Sequence, residues 1–122
     1  MEPKEYIAEL VAKARKAQAQ IADYSQEQID ALVRAVGKAG YDNVEDLAKR
    51  AVEETKMGRV DSKIVKNRKS TMVAWYYLKD KKSVGVVEED PIEQIVTIAK
   101  PIGVIGCVTP VTNPTATPLV NG

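Results

Sequence analysis

Apolar residues in the first half of the chain return at three- and four-residue steps, the repeat of a helix with one buried face. Tyr6, Ile7, Leu10, Val11, Ala14, Ala17 and Ile21 form the first stripe, with Pro3 where a helix start tolerates it. Ser25-Gln26-Glu27-Gln28 has the spacing of a capping box, in which the hydroxyl and the Gln amide each satisfy a free backbone donor. A second stripe follows at Ile29, Leu32, Val33 and Val36, and Gly37 and Gly40 predict its end. Asn43 can cap a third helix carrying Leu47, Ala48, Ala51, Val52 and Thr55, with Met57-Gly58 as its stop. A fourth is predicted to begin at Asp61 or Ser62 and to end near Asp80, with Ile64, Val65, Arg68, Met72, Trp75 and Tyr76 on one broad side. There is no internal repeat and no low-complexity tract.

At Ser83 the pattern changes. Val84 and Val86 alternate with other positions, Glu88-Glu89-Asp90-Pro91 is turn-prone, and Ile95-Val96-Thr97-Ile98-Ala99 reads as a second strand. Both faces of that strand carry apolar groups, and an isolated two-stranded ribbon is marginal in water, so a partner subunit or more of the same chain is expected to cover it. Ile102-Gly103-Val104-Ile105-Gly106-Cys107-Val108 is an apolar run without polar alternation, which suits a strand buried on both faces of a parallel α/β sheet. It leads into a proline-bounded polar loop from Thr109 to Thr117, and ligands in such sheets collect beyond the carboxyl ends of strands. Only five residues follow that loop, so the rest of the sheet is not in this chain, which reads as the opening piece of a larger protein.

Composition narrows the chemistry. The 122 residues are 44% hydrophobic, enough for one small domain burying roughly two-thirds of its unfolded surface. There is no Phe, no His and a single Trp, so aromatic anchors are few and no imidazole is available for acid, base or metal work. One cysteine excludes an internal disulfide and a multi-cysteine metal site, which fits a reducing compartment, and no metal is expected. The formal charge of +1 gives no global pull towards nucleic acid or membranes. With no secretory or spanning stretch, a cytoplasmic protein is the expectation. Basic side chains nevertheless crowd residues 56–82, and Lys63, Lys66 and Lys69, three apart, predict a solvated helix face rather than a phosphate or RNA site. Trp75, Tyr76 and Tyr77 are expected to anchor a core.

Two readings of residues 109–117 stand side by side. Pro110 and Pro114 restrict the path while Asn113 offers a neutral amide able to donate to a developing oxyanion. Alternatively this is a turn in which Asn113 bonds its own backbone and the threonines cap the next helix. Cys107, inside the apolar run with no nearby basic residue, is expected to be a small buried residue and not an activated thiolate. Gly103 and Gly106 lie within the strand, so close backbone packing explains them better than phosphate binding.

Pro101-Ile102-Gly103-Val104-Ile105-Gly106 followed by Thr109-Pro110-Val111-Thr112-Asn113-Pro114 resembles the start of the nucleotide-binding domain in the aldehyde dehydrogenase superfamily. Thr-Asn-Pro-Thr-Ala-Thr at 112–117, in place of the usual Trp-Asn-aromatic-Pro, resembles the CoA-acylating branch. The helix end from Ala51 to Val60, with Lys66-Asn67 just beyond, is similar to the same branch. Tyr24 to Gln28 and Leu78 to Gly85 extend the match over nearly the whole chain and most resemble acylating succinate-semialdehyde dehydrogenases.

The resemblance implies an α/β fold with a helical N-terminal part of the nucleotide-binding domain over 1–82, a protruding oligomerisation β-hairpin over 83–101, and the first strand of a Rossmann-like sheet with its cofactor and oxyanion loop over 102–122. It implies a cysteine thiolate, beyond Gly122, that attacks an aldehyde, with NAD or NADP as hydride acceptor and coenzyme A taking the acyl group, the whole being reversible. By motif match Asn113 holds the oxyanion, and Thr109, Pro110, Val111 and Thr112 line the nicotinamide-ribose side of the cofactor cleft. The implied partners are an aldehyde or acyl-CoA and further copies of the chain, not nucleic acid or membrane, and these residues by themselves are expected to be inactive. Two other classes compete: a small helical interaction module that binds a protein through the apolar hairpin, and a basic nucleic-acid binder that uses the fourth helix.

Overall fold

The computed structural model describes residues 2–122, which group into two compact units, one of residues up to Gln28 with Lys82–Gly106, the other of Ile29–Lys81 with Cys107–Gly122. The predicted helices are all present as α1 (Pro3–Ile21), α2 (Gln26–Asp42), α3 (Val44–Thr55) and α4 (Val60–Arg68). A π-helical turn, Lys69–Val73, joins α4 to α5 (Ala74–Leu78), so the expected fourth helix is one path with a widened turn inside it. Its cause is visible in the side chains. Ser70 Oγ donates to the Lys66 carbonyl at 3.0 Å, and Thr71 Oγ1 donates to the carbonyls of Asn67 and Arg68 at 2.9 and 3.2 Å. Hydroxyls that bond back in this way compete with the helical ladder and distort it.

In the first unit, Ser25 opens α2 with the expected capping box: its N–H donates to Gln28 Oε1 at 2.9 Å and its hydroxyl accepts from the Gln28 N–H at 3.3 Å. Gln26 then reaches residues far along the chain, its Oε1 accepting from the N–H groups of Ser83 (2.7 Å) and Val84 (3.2 Å). That amide ties the root of the hairpin to the start of α2. The hairpin itself pairs β1 (Gly85–Asp90) with β2 (Ile95–Ala99) antiparallel, Gly85 opposite Ala99 and Asp90 opposite Ile95, with a bulge between Val86 and Glu88. The turn lies later than the expected 88–91. Asp90 Oδ1 accepts from the N–H groups of Ile92 and Glu93, both at 2.9 Å, which lets the strand run on to Asp90, and Gln94 closes the turn at φ 58°. Tyr6, Ile7 and Leu10 of α1 and Ile95, Val96 and Ile98 of β2 are about half exposed, so neither apolar face is fully covered among the described residues.

The second unit holds the buried residues. Val44, Ala48 and Ala51 are the buried residues of α3, which packs on α4, and Ala116 is buried in the short α6 (Ala116–Asn121), which packs on the π-helical turn and α4. Alanine there lets the helices approach closely. Asn43 precedes α3 as expected but does not cap it with its side chain, which donates instead to the Ala39 carbonyl of α2 at 2.8 Å. The stop of α3 is likewise one residue early, at left-handed Lys56 (φ 55°), ahead of Gly58. Gly37 and Gly40 do not end α2, which continues to Asp42. Gly40 is needed for proximity: a Cβ there would run into Leu119 of α6 and lie 2.9 Å from Thr71 Cγ2.

The expected parallel strand over 102–108 is not formed, because residues 100–110 have no strand neighbour and the only ladder among the described residues is β1 with β2. A strand is defined by its partner, and without one the run has no regular structure and is exposed, Ile102 at 89% and Val108 at 94%. The architecture of the described residues is therefore mixed helix with a two-stranded antiparallel sheet. Gly103 and Gly106 meet nothing within 4 Å, so close packing does not explain them here, although the φ of 103° at Gly103 favours glycine. Cys107, expected to be buried, is exposed, and its Sγ accepts from Asn121 Nδ2 at 3.3 Å. Tyr76 and Tyr77 are each 69% exposed, so they do not anchor a core within these residues.

The two glycines of α2 should separate cleanly in stability. Gly37 has open space around a built Cβ, so Gly37→Ala is expected to stabilise by about 0.5–1 kcal/mol through helix propensity. Gly40→Ala must displace the Leu119 side chain and crowd the Thr71 methyl, and is expected to destabilise by about 1 kcal/mol net. Urea unfolding of the two variants measures this, and a Gly40→Ala protein as stable as Gly37→Ala would show that the α2–α6 contact yields freely.

Candidate functional site

Lys63, Lys66 and Asn67 stand three and four positions apart on α4 and so share one face. That face grips the loop that leaves Cys107 and enters α6. Lys63 Nζ donates to the Thr112 carbonyl at 2.8 Å, Lys66 Nζ donates to Asn113 Oδ1 at 2.7 Å, and Thr115 Oγ1 donates to Asn67 Oδ1 at 2.9 Å. Three side chains of one helix face thus hold three of four consecutive loop residues. The expected solvated lysine face holds for Lys66 and Lys69, which are exposed, and is corrected for Lys63, which is only 6% exposed with its ammonium spent on the loop. Neither Lys63 nor Lys66 has an acidic side chain within ion-pairing distance among the described residues. A cation removed from water without a counter-ion needs a strong acceptor, and the Thr112 carbonyl is that acceptor.

The connection before α4 supports this arrangement. Thr55 Oγ1 donates to the Ala51 carbonyl at 2.6 Å and accepts from the Met57 N–H at 3.2 Å, which turns the chain at the end of α3. Gly58, at φ 78°, then lies over the Lys63 stem, where a Cβ would be 3.3 Å from Cε. At the helix start, the Arg59 guanidinium beside Asp61, together with the Ser62 backbone N–H, holds the Asp61 carboxyl below the usual carboxylate range. Asp61 is exposed, so its role is local.

In the loop, the Asn113 N–H donates to the Pro110 carbonyl at 3.0 Å and the Asn113 carbonyl accepts from the Thr117 N–H at 3.3 Å, which shapes a turn running into α6. The Asn113 side chain reaches Lys66 and does not bond its own backbone, the turn option its position allows. An ammonium has only donors, so Lys66 can meet only the amide oxygen, and Nδ2 is turned the other way. There its contact is the Thr112 hydroxyl at 3.4 Å, long for a hydrogen bond, which leaves the amide with donor capacity. Thr115 sits at the N-cap of α6 but spends its hydroxyl on Asn67. Thr109, Pro110, Val111 and Thr112 are all exposed and uncharged, and the Thr112 carbonyl is already taken by Lys63.

The structure therefore brings Asn113 and Thr112 together with two lysines and an asparagine that were read from sequence as surface or as part of a motif. Asn67 is the most enclosed of them, 1% exposed, and its Nδ2 has no partner among the described residues. The one local signal was the i, i+3, i+4 grouping of Lys63, Lys66 and Asn67, immediately before the hydroxyl pair Ser70 and Thr71. Their partners lie nearly fifty residues downstream, beyond the reach of periodicity. No group of three or more His, Cys, Asp or Glu side chains among the described residues could hold a metal ion.

Residues 2–121 match the profile of the "Aldehyde dehydrogenase family". The chain is 49% identical over 115 residues to a succinate-semialdehyde dehydrogenase (acetylating) of Clostridium kluyveri, covering 94% of this chain and 25% of that protein. It is 48% identical over 118 residues to a sulfoacetaldehyde dehydrogenase of an Acholeplasma species, covering 95% of this chain and 24% of that one. Among solved structures it is similar to an acetylating aldehyde dehydrogenase from Geobacillus thermoglucosidasius, with a TM-score of 0.92 and 31% identity over 96% of this chain and 26% of that chain. The chain spans about a quarter of the length of these two relatives.

The grip of α4 on the loop has a measurable consequence. Lys63→Ala removes the donor held by the Thr112 carbonyl, and a hydrogen bond to a charged group contributes about 1.5–3 kcal/mol. Amide exchange over 111–117 is expected to quicken by about tenfold or more while α3 keeps its protection. Hydrogen-exchange mass spectrometry reads this, and unchanged exchange in the loop would show that Lys63 does not hold it.

Proposed function

Because the chain belongs to the aldehyde dehydrogenase family, within its acylating branch, we propose that the protein carrying it oxidises an aldehyde to a CoA thioester with NAD or NADP and runs the reverse reduction of an acyl-CoA. The single observation that carries the site reading is the Asn113 amide, turned by Lys66 so that its nitrogen retains donor capacity at the end of the apolar run. The chemistry is a cysteine thiolate adding to the aldehyde carbon, which places negative charge on the former carbonyl oxygen. A preplaced amide donor stabilises that charge without reorganising during the reaction. Asn113 is the donor this chain supplies. Cys107 is not the thiolate: its contact is the Asn121 amide, and no lysine or arginine is hydrogen-bonded to it among the described residues.

The nicotinamide cofactor, when bound, accepts hydride, and coenzyme A takes up the acyl group as co-substrate. Thr109, Pro110, Val111 and Thr112 fit the nicotinamide-ribose side because they are uncharged, exposed and held in one path by Pro110 and by the Lys63 bond to Thr112. The aldehyde proposed is short and carries an anionic end, with succinate semialdehyde first. Relatives named for succinate semialdehyde and for sulfoacetaldehyde are almost equally similar here, so residues 2–122 do not separate a carboxylate from a sulfonate. A nucleic-acid role for the fourth helix is disfavoured by the use of Lys63 and Lys66 within the fold. No helix among the described residues is long and apolar enough to cross a membrane.

The 83–101 hairpin is proposed to bind a second copy of the protein. Ile95, Val96 and Ile98 are 58%, 54% and 54% exposed on the two faces of β2, and a ribbon of two strands does not hold such surface in water unaided.

With the whole protein, NADH or NADPH formation from succinate semialdehyde is expected to require CoA, and Asn113→Ala is expected to lower kcat by about 10²–10³-fold with the fold intact. CoA-independent turnover would remove the acylating reading, and unaltered turnover in the variant would remove Asn113 from the chemistry. Val96→Lys with Ile98→Lys is expected to lower the assembly size seen by light scattering, and an unchanged mass would exclude the hairpin from the interface.

A further inference from the structure

We propose that Lys66 is a positioning residue for the reaction, fixing which end of the Asn113 amide faces the reacting oxygen. The proposal rests on the reading of Asn113 as an oxyanion donor and goes beyond it. An asparagine amide is nearly symmetric in shape, and a half-turn about its last bond exchanges a donor for an acceptor. With the oxygen turned towards a developing negative charge, the residue would oppose the step it is meant to assist. Something must therefore choose the orientation.

Three features of the structure make Lys66 that choice. Its ammonium lies 2.7 Å from Asn113 Oδ1 and can only donate, so the flipped amide would set N–H against N–H. No acidic side chain is within ion-pairing distance of Lys66 among the described residues to draw it elsewhere. The position of Lys66 is itself fixed, since its neighbours on the same face, Lys63 and Asn67, are buried and bonded to Thr112 and Thr115 on either side of Asn113. The weak 3.4 Å contact from Asn113 Nδ2 to the Thr112 hydroxyl does not supply a comparable preference, since that hydroxyl can rotate to donate or accept. Lys66 is exposed, so water screens its charge and its main effect is geometric.

The test is a double-mutant cycle in the whole protein, read as CoA-dependent NAD(P)H formation. Lys66→Met is expected to lower kcat by about tenfold, with the KM for the aldehyde within about twofold of its starting value. In the Asn113→Ala background the same change is expected to have no further effect, because the group it orients is gone. Lys66→Arg, which keeps a charged donor, is expected to recover most of the loss, and thermal unfolding of each variant shows whether the fold is kept. Equal losses in both backgrounds would show that Lys66 acts elsewhere, and no loss in the native background would show that the amide orients itself. If Lys66→Met does not fold, Lys66→Gln is put through the same cycle and judged by the same outcomes. A fully active Asn113→Ala protein would overturn the oxyanion reading and this proposal with it, whereas a weak Asn113→Ala beside a fully active Lys66→Met would overturn this proposal alone.

Discussion

The bond from the Lys63 ammonium to the Thr112 carbonyl is the constraint around which the second unit is arranged. A lysine that is 6% exposed and has no acid beside it has given up most of its hydration, so the chain must hold a carbonyl in place to receive it. Thr112 provides that carbonyl, and holding it fixes the loop one residue before Asn113. Lys66 and Asn67 then take Asn113 and Thr115, so one turn of helix sets the path of the whole bend. The exposed bond at Lys66 contributes little to stability, but it decides the direction of a side chain.

Small residues make that arrangement possible. Ala48 and Ala51 bring α3 close to α4, and Gly40 lets α2 approach Leu119 and Thr71. The π-turn after α4 follows from the same crowding of polar groups, since the Ser70 and Thr71 hydroxyls take carbonyls that a regular helix would use. Widened turns of this kind are frequent beside functional sites, and this one begins two residues after Asn67. The orphaned Asn67 Nδ2 lies in the same place, so the polar demand there is not fully met by the described residues.

Elsewhere the chain displays apolar surface that it does not cover. Burying a side chain such as Ile102 or Val108 contributes roughly 1.5–3 kcal/mol, and both are almost fully exposed, while the α1 stripe and the apolar residues of β2 are about half exposed. The succinate-semialdehyde and sulfoacetaldehyde dehydrogenases it resembles are about four times as long as this chain, and under the proposed function such further residues and a second copy are what these surfaces meet. The described residues thus carry a hydrogen-bonded polar junction in one unit, and apolar faces that are left largely open in the other.

The sequence by itself determined what depends on near neighbours. Helical period placed α1 to α3 and the path from α4 through α5 within a few residues, Ser25 and Gln28 formed the capping box their spacing requires, and the alternation after Ser83 gave a hairpin. The family, too, was legible, because motifs such as Thr109 to Pro114 are local strings. Tertiary structure decided what depends on distant ones. Whether Lys63 is solvated or buried, whether Gly40 ends a helix or admits Leu119, and which way the Asn113 amide turns are settled by groups tens of residues away. Periodicity reports which face of a helix is apolar, but it cannot report which loop a polar face will grip. The run over 102–108 shows the same limit from the other side: its composition asks for a sheet, and a strand forms only where a neighbour supplies the other half of each hydrogen bond.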